Sequence, residues 1–425
     1  MGMTIVEKIL AKNSGLNEVH PGEIVEASVD TVMLHDIGAP GIQRPLKELG
    51  LDKIADNVEC VIIPDHFVPA PTVQAAENLK ITRNFAASMG VKSFYDIGRG
   101  GVCHQVMAEK GHVRPGQIIA APDSHATTYG AFGALGTGFG VTDVAIALGT
   151  GRLWFLVPET AKIILNGKLG EGVSAKDVIL YMLKVFGEAR FIYKVIELSG
   201  PVIDNMSMEG RMCIANLAYE LGVKTCIIPP DNITEDYLKE HSNKEFKPIL
   251  PDEDARYCEI VELDLSNLTP MVAAPHSPSN GKTVTEVEGT KIHQAFLGSC
   301  TNGRIEDLRI AAALLKGRTV HPDVRMIVTP ASQAVYMQAM QEGILDVLLK
   351  AGACVTNSGC GVCLGGHLGV IAADEVCISS SNRNFRGRMG SVKGSIYLAS
   401  PATVAASAIM GQITDPRSLG VKLHD

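Results

Sequence analysis

The sequence predicts an α/β fold of parallel or mixed sheets flanked by helices, on a chain long enough for two to four domains. Three observations carry this. Strand-like apolar runs alternate with helical runs along most of the chain, the pattern of parallel sheets covered on both faces. At 425 residues the chain exceeds one ordinary domain. With 46% apolar and 20% charged residues it can bury a sizeable core.

The first strand–loop–helix unit is NVECVIIP, the loop DHFVPAP, then the helical TVQAAENLKITRNFAASMG. GQIIAAP next leads into DSHATT and a glycine-rich stretch. The charged segment DNITEDYLKEHSNKEFKPILPDEDARY reads as surface structure, and AAPHSPSNGKTVTEVEG (273–289), rich in Pro, Ser and Gly, reads as an interdomain linker. HQAFLG is followed by SCTNGR and the helical IEDLRIAAALLKG. VRMIV (324–328) passes through Thr329-Pro330 into ASQAVYMQAMQEGILDVLLKAG, read as one helical run with Pro330 where the helix begins. EVCISSS (375–381) opens into NRNFRGRMG, and PATVAASAIMGQ is a last helix. The expected domains are 1–157, 158–280 and 281–425. Ligands of parallel sheets bind beyond the carboxyl ends of strands, so the loops after these strands are where chemistry is expected.

Charge and composition exclude several classes. A formal net charge of -8 without a long basic run argues against nucleic-acid binding. The start MGMTIVEKIL lacks a signal-peptide pattern. The most apolar stretch, 130–165, is interrupted by Asp143 and Arg152, which argues against a membrane span. A cytoplasmic protein is expected. The glycine-rich 130–140 lacks the endings of a phosphate-binding loop. Ten cysteines in so long a chain read as reduced thiols rather than a disulfide framework.

Three cysteines stand apart. Cys300 follows a strand in GSCTNGR, and Cys360 and Cys363 sit in the glycine-rich loop NSGCGVCLGG. Small residues there let the backbone wrap a bulky group and present amide donors to it. Three thiolates on a [4Fe–4S] cluster leave one iron free to act as a Lewis acid. Taken alone, the residues also allow a zinc site, with Cys354, Cys377 or His367 as a fourth ligand, or no metal at all.

FLGSCTNGR, NSGCGVCLGG and SSSNRNFRGRMG, with PDHFVPAP, GRGGVCHQV and APDSHATTYGAFGALGTGFG, resemble in order the active-site loops of the aconitase family. In length the chain is similar to the large subunits of that family's two-subunit isopropylmalate and homoaconitate branch. The resemblance implies a hydro-lyase that dehydrates and rehydrates a hydroxy acid. The substrate implied first is 3-isopropylmalate, as in leucine biosynthesis, with homoaconitate and 2,3-dimethylmalate as alternatives. It also implies a separate small subunit that carries the fourth, swivelling domain with the catalytic base. Cys300, Cys360 and Cys363 are implied as cluster ligands, with Asn216 and Asn382 beside the cluster. Asp65 with His66, His104 with Asp123, and His125 with Glu220 are implied as catalytic carboxylate–imidazole pairs. Ser124, Arg383 and Arg388 are implied to bind substrate carboxylates. Asn216 and Glu220, four apart, are expected on one face of a helix.

One departure concerns HDIGAPGIQRP, where Gly41 stands in place of an expected substrate-contacting Gln and Gln43 lies nearby. His35, His112, His241 and His424 read as surface or structural residues. The rival classes are an RNA-binding regulator, a structural zinc protein and an electron carrier with a fourth cysteine ligand.

Overall fold

The computed structural model describes residues 2–422, so His424 lies outside the described residues. Three sheets organise the chain. The first is wholly parallel, in the order Ser93–Phe94, Glu59–Ile62, Thr31–Leu34, Ile118–Ala121, Leu135–Gly138. The second is also parallel, in the order Thr225–Ile227, Val195–Ser199, Thr160–Asn166, Glu259–Asp264. The third has seven strands. Ser395–Ala399, Val376–Ser379, Gln294–Leu297, Arg325–Val328 and Cys354–Val355 run parallel, and Met271–Ala273 and Gly281–Thr283 add antiparallel at one edge. A two-stranded antiparallel ribbon, Ile24–Ser28 with Arg152–Leu156, flanks the first sheet.

Strand order positions the site. In the first sheet the chain moves outward from Thr31–Leu34, then returns to place Ile118–Ala121 on its other side. In the third it does the same about Gln294–Leu297 and Val376–Ser379. Where the order reverses, the loops leaving two adjacent strands diverge and open a crevice. The residues after those four strands, 35–38, 122–125, 298–304 and 380–388, are among those that meet at the site.

Sequence signals explain most element boundaries. The helix Val73–Ser88 starts at Thr72, whose hydroxyl accepts the Ala75 N–H, and Pro401–Met410 starts at Ser400 with proline in its first turn. Two expectations are corrected. The run after Pro330 is two helices, Gln333–Gln341 and Ile344–Lys350, parted at Gly343 with φ 74°. Ser332 rather than Pro330 starts the first, because its hydroxyl accepts the Val335 N–H. The segment 273–289 is no linker. It contains strand Gly281–Thr283 and helix Val284–Val287, and the strand pairs into the third sheet. Its Pro, Ser and Gly content forms the turn of that hairpin.

The middle part contributes a titrating group. Glu209, half-buried beside Glu306 and Asp307, is pushed up to about 8 by burial and then by those two carboxylates. Between the ordinary carboxylate value and about 8, the folded chain holds a proton that the unfolded chain has released. Stability therefore falls as pH rises through that window. Glu209→Gln keeps an oxygen for the Glu306 N–H, which Glu209 accepts at 3.1 Å. It is expected to raise Tm by about 1–4 °C at pH 8 and by nothing at pH 4.5. Thermal melts at the two pH values check this, and an equal effect at both would refute the assignment.

Candidate active site

A cavity of about 340 Å³ opens between the first and third sheets. Twelve of the fourteen candidate residues line it: the three cysteines, Asp65, His66, His104, Asp123, Ser124, His125, Asn382, Arg383 and Arg388. Asn216 and Glu220 stand just behind and touch the lining.

Cys300 leaves the strand Gln294–Leu297 through Gly298 and Ser299, and Ser299 has φ 82°, a left-handed conformation unusual for a residue with a side chain. The bend is held by Arg304, whose buried guanidinium donates to the Cys300 carbonyl at 2.9 Å, the Thr301 carbonyl at 2.5 Å and Gln105 Oε1 at 2.9 Å. Cys360 immediately precedes the short helix Gly361–Leu364, and Cys363 lies within it. Gly361 has φ 62°, and a Cβ there would lie 2.9 Å from the Phe296 ring, so glycine is required on both counts. All three sulfurs are on buried residues. The Asn382 amide joins two of them, donating to Cys300 Sγ at 3.2 Å and accepting from Cys363 Sγ at 3.1 Å. Asn216 Oδ1 lies 3.6 Å from Cys300 Sγ. Burial pushes the Cys300 thiol up to about 12. Its hydrogen bond with Cys360 holds the Cys363 thiol well below the ordinary value despite burial, and Arg388, whose Nη2 is 3.8 Å away, adds to the effect. Cys354 is exposed, and neither it, Cys377 nor His367 lines the cavity.

The three imidazole–carboxylate pairs are present. His66 Nδ1 is 2.6 Å from Asp65 Oδ1. Burial opposes its protonation, but the carboxylates of Asp65 and Asp36 outweigh burial and hold His66 well above the ordinary histidine value. His104 Nε2 is 3.1 Å from Asp123 Oδ1. Asp123 lies well below the ordinary carboxylate range, because its contacts with His104, His125 and His35 exceed the cost of burial. His125 Nε2 is 3.5 Å from Glu220 Oε1. Burial lowers His125 despite that carboxylate, with the Arg383 cation adding to the effect. The His66 and His125 rings are thus pushed in opposite directions within one cavity.

Asn216 and Glu220 do not share one α-helix as expected. Asn216 lies in the last turn of helix Met208–Leu217, and Glu220 sits on the tighter turn Ala218–Leu221. The change of winding lets Glu220 reach Arg383, whose Nε donates to Glu220 Oε1 at 2.7 Å and whose Nη2 donates to Ser124 Oγ at 3.3 Å. Arg388 stands at the thiol wall with its Nε buried and without a partner. Gly41 and Gln43 do not line the cavity. They lie in helix Gly38–Glu48, where an added Cβ on Gly41 would meet Val141 instead. Arg383→Lys loses the planar fork, and with it a charged hydrogen bond of about 1.5–3 kcal/mol, so kcat/KM is expected to fall about 10–100-fold, mainly through KM. Steady-state kinetics check this, and an unchanged KM would remove Arg383 from substrate binding.

Sequence reasoning missed four supports. His35 lines the cavity. Asp36 accepts the N–H groups of Asp65, His66 and Phe67 at 3.0, 3.0 and 2.7 Å, which sets that loop. Arg304 braces Cys300. Lys176, wholly buried, donates to the Ser380 and Ser381 carbonyls at 2.7 and 2.6 Å, just before Asn382. His35 and Asp36 follow a strand, and the strand-end rule that marked Asp65 and His66 could have found them. Of the other histidines, His112 is buried between Glu59 and Tyr95, and His241 bonds the Tyr237 carbonyl within its helix.

A model of the aconitase family (aconitate hydratase) matches residues 7–289 and 280–411. The chain is 51% identical over 417 residues to the 3-isopropylmalate dehydratase large subunit 1 of Methanopyrus kandleri, covering 98% of this chain and 99% of that one. It is 48% identical over 421 residues to the 3-isopropylmalate dehydratase large subunit of Thermodesulfovibrio yellowstonii, covering 99% and 100%. It is 49% identical over 421 residues to the same-named protein of Aquifex aeolicus, covering 98% and 97%. The crystal structure of Thermococcus kodakaraensis aconitase X (holo-form) aligns with a TM-score of 0.51 at 12% identity over 89% of each chain, a likeness of fold alone. With matched segments that span nearly the whole sequence, the chain belongs to the aconitase family.

Proposed function

We propose that this chain is the large, cluster-bearing subunit of a hydro-lyase that interconverts 2-isopropylmalate and 3-isopropylmalate by dehydration and rehydration. The observation that carries it is the convergence of three buried thiols, three imidazole–carboxylate pairs and two arginines on one cavity, in a chain about half identical to proteins named for that activity.

The thiols fit an iron–sulfur cluster. Burial disfavours three thiolates together, and Arg388 is the cation at their wall, so the donor set calls for a strongly cationic group. Cys300, Cys360 and Cys363 would hold it, with the Asn382 and Asn216 amides against the sulfurs. When bound, a [4Fe–4S] cluster with three protein ligands supplies an open iron as Lewis acid for the substrate hydroxyl. Arg383, Arg388 and Ser124 anchor carboxylates. His66, kept charged by Asp65, donates the proton that departs with the hydroxyl oxygen. His104 and His125, oriented by Asp123 and Glu220, hold the substrate's other oxygens. Ile37, Pro122 and Leu364 give the cavity an apolar side suited to a branched alkyl group.

The names of the relatives support a separate small subunit as partner, which would close over the cavity and bring the base. The three sheets support three domains, with the second boundary nearer residue 270, where the third sheet gains its first strand. No helix among the described residues is long and apolar enough to cross a membrane, which agrees with a cytoplasmic enzyme.

The test is anaerobic purification, analysis of iron, sulfide and zinc, then assay with a co-expressed small subunit. Iron and sulfide near four per chain, with conversion of 3-isopropylmalate to its isomer, are expected. Zinc without iron or sulfide would overturn the cluster. Turnover of an unbranched tricarboxylate alone would overturn the substrate.

A further inference from the structure

His35 lines the cavity but belongs to none of the three imidazole–carboxylate pairs. It follows the strand Thr31–Leu34, and Pro122 follows the adjacent strand Ile118–Ala121, so the two meet where the strand order reverses. The ring is fixed at both nitrogens. Nδ1 accepts the Ile37 and Gly38 N–H groups at 3.2 and 3.1 Å, so it carries no proton. The proton is therefore on Nε2, which donates to the Pro122 carbonyl at 3.3 Å and faces Asp123 Oδ2 at 3.7 Å. Gly38 permits this approach, since a Cβ there would lie 2.4 Å from Pro122 Cγ. The other face of the ring packs on His66, with centroids 4.6 Å apart.

These contacts close a loop through the site. Asp65 binds His66 through Oδ1 and the Cys103 N–H through Oδ2 at 2.8 Å, and so anchors the helix that carries His104. His104 binds Asp123, and His35 spans the gap from Asp123 back to His66. The charged groups facing the ring are His66, Asp123, Asp65 and Asp36. Burial, and then the His66 charge, push His35 below the ordinary histidine value despite the three carboxylates, so it stays neutral between them.

We propose that His35 is a positioning residue, locked as the Nε2–H tautomer, that sets the spacing of the His66–Asp65 and His104–Asp123 pairs. The role rests on the hydro-lyase reading above, although the tautomer does not. His35→Asn keeps an oxygen for the Ile37 and Gly38 N–H groups but cannot reach Pro122, whereas His35→Gln can reach Pro122. With the small subunit present, His35→Asn is expected to lower kcat about 10–100-fold with KM changed less than about threefold, and to shift the pH profile of kcat. Iron content is expected to stay at the parent level. His35→Gln is expected to recover part of kcat. Independently of turnover, NMR of the chain with 15N-labelled histidine at neutral pH is expected to show one ring as a neutral Nε2–H tautomer, and that signal is lost in His35→Asn. An unchanged kcat and pH profile in His35→Asn would overturn the role, as would a His35 ring that carries a proton on Nδ1. If His35→Asn fails to fold, a wild-type kcat in His35→Gln together with an Nδ1 proton decides against it. A parent complex without hydro-lyase activity fails the functional reading and the role that rests on it, and the NMR result then judges the tautomer alone.

Discussion

Cys300→Ala is expected to abolish stable iron retention and to reduce hydro-lyase activity to background, the largest effect of any single change in the chain. The reason lies in how Cys300 is placed. Cys360 and Cys363 share one short loop, whereas Cys300 comes from across the sheet, and only its sulfur contacts both the Asn216 and Asn382 amides. Removing it leaves two thiols from one loop, a donor set too small for a three-ligand cluster. The backbone bend survives, because Arg304 holds the carbonyls of Cys300 and Thr301 rather than the side chain. The apo protein should therefore melt near the parent apo protein, and this separates loss of the cluster from loss of the fold. Iron and sulfide analysis of anaerobically reconstituted protein, with circular dichroism beside it, makes the measurement. Full iron in Cys300→Ala would refute the ligand assignment.

Most of the α/β alternation was legible because period and punctuation agree locally, as in QAFLG, SCTNGR and IEDLR. Residues of the cavity wall were legible where a motif sits in one loop: Cys360 with Cys363, Asp65 with His66, Arg383 with Arg388. What escaped depends on packing between distant segments. Lys176 is an unremarkable lysine in its own helix, and its burial against Ser380 and Ser381 is settled 204 and 205 residues later. Arg304 reads as a loop cation until Gln105 and the Cys300 carbonyl surround it. The strand Gly281–Thr283 hides in a Pro- and Ser-rich segment because an edge strand needs pairing on one side and little apolar content. Gly41 looked like a lost substrate contact, but that helix turns its face toward Val141, and the cavity wall there is His35 and Ile37.

Asp65→Asn is expected to lower kcat about 10²–10⁴-fold, the range associated with a positioned general acid or base, while leaving iron in place. Asp65 makes three contacts that the substitution separates. Its Oδ1 meets His66 Nδ1 at 2.6 Å, a short charge-assisted bond. Its Oδ2 accepts the Cys103 N–H. Its backbone carbonyl accepts the Cys360 N–H at 2.8 Å. The amide cannot neutralise an imidazolium, so His66 keeps Asp36 but loses Asp65, the first of the two carboxylates that favour its charged form. The loop still stays in place, because Asp36 accepts the backbone N–H groups of Asp65, His66 and Phe67. The carbonyl that supports Cys360 is untouched by a side-chain change, so the thiol wall keeps its geometry. Turnover should fall with cluster content unchanged, a combination that a general structural defect does not produce. A kcat within about threefold of the parent would remove the Asp65–His66 pair from proton transfer. Loss of iron in step with activity would instead make Asp65 a support for the cysteine loop, with some other group as the proton donor.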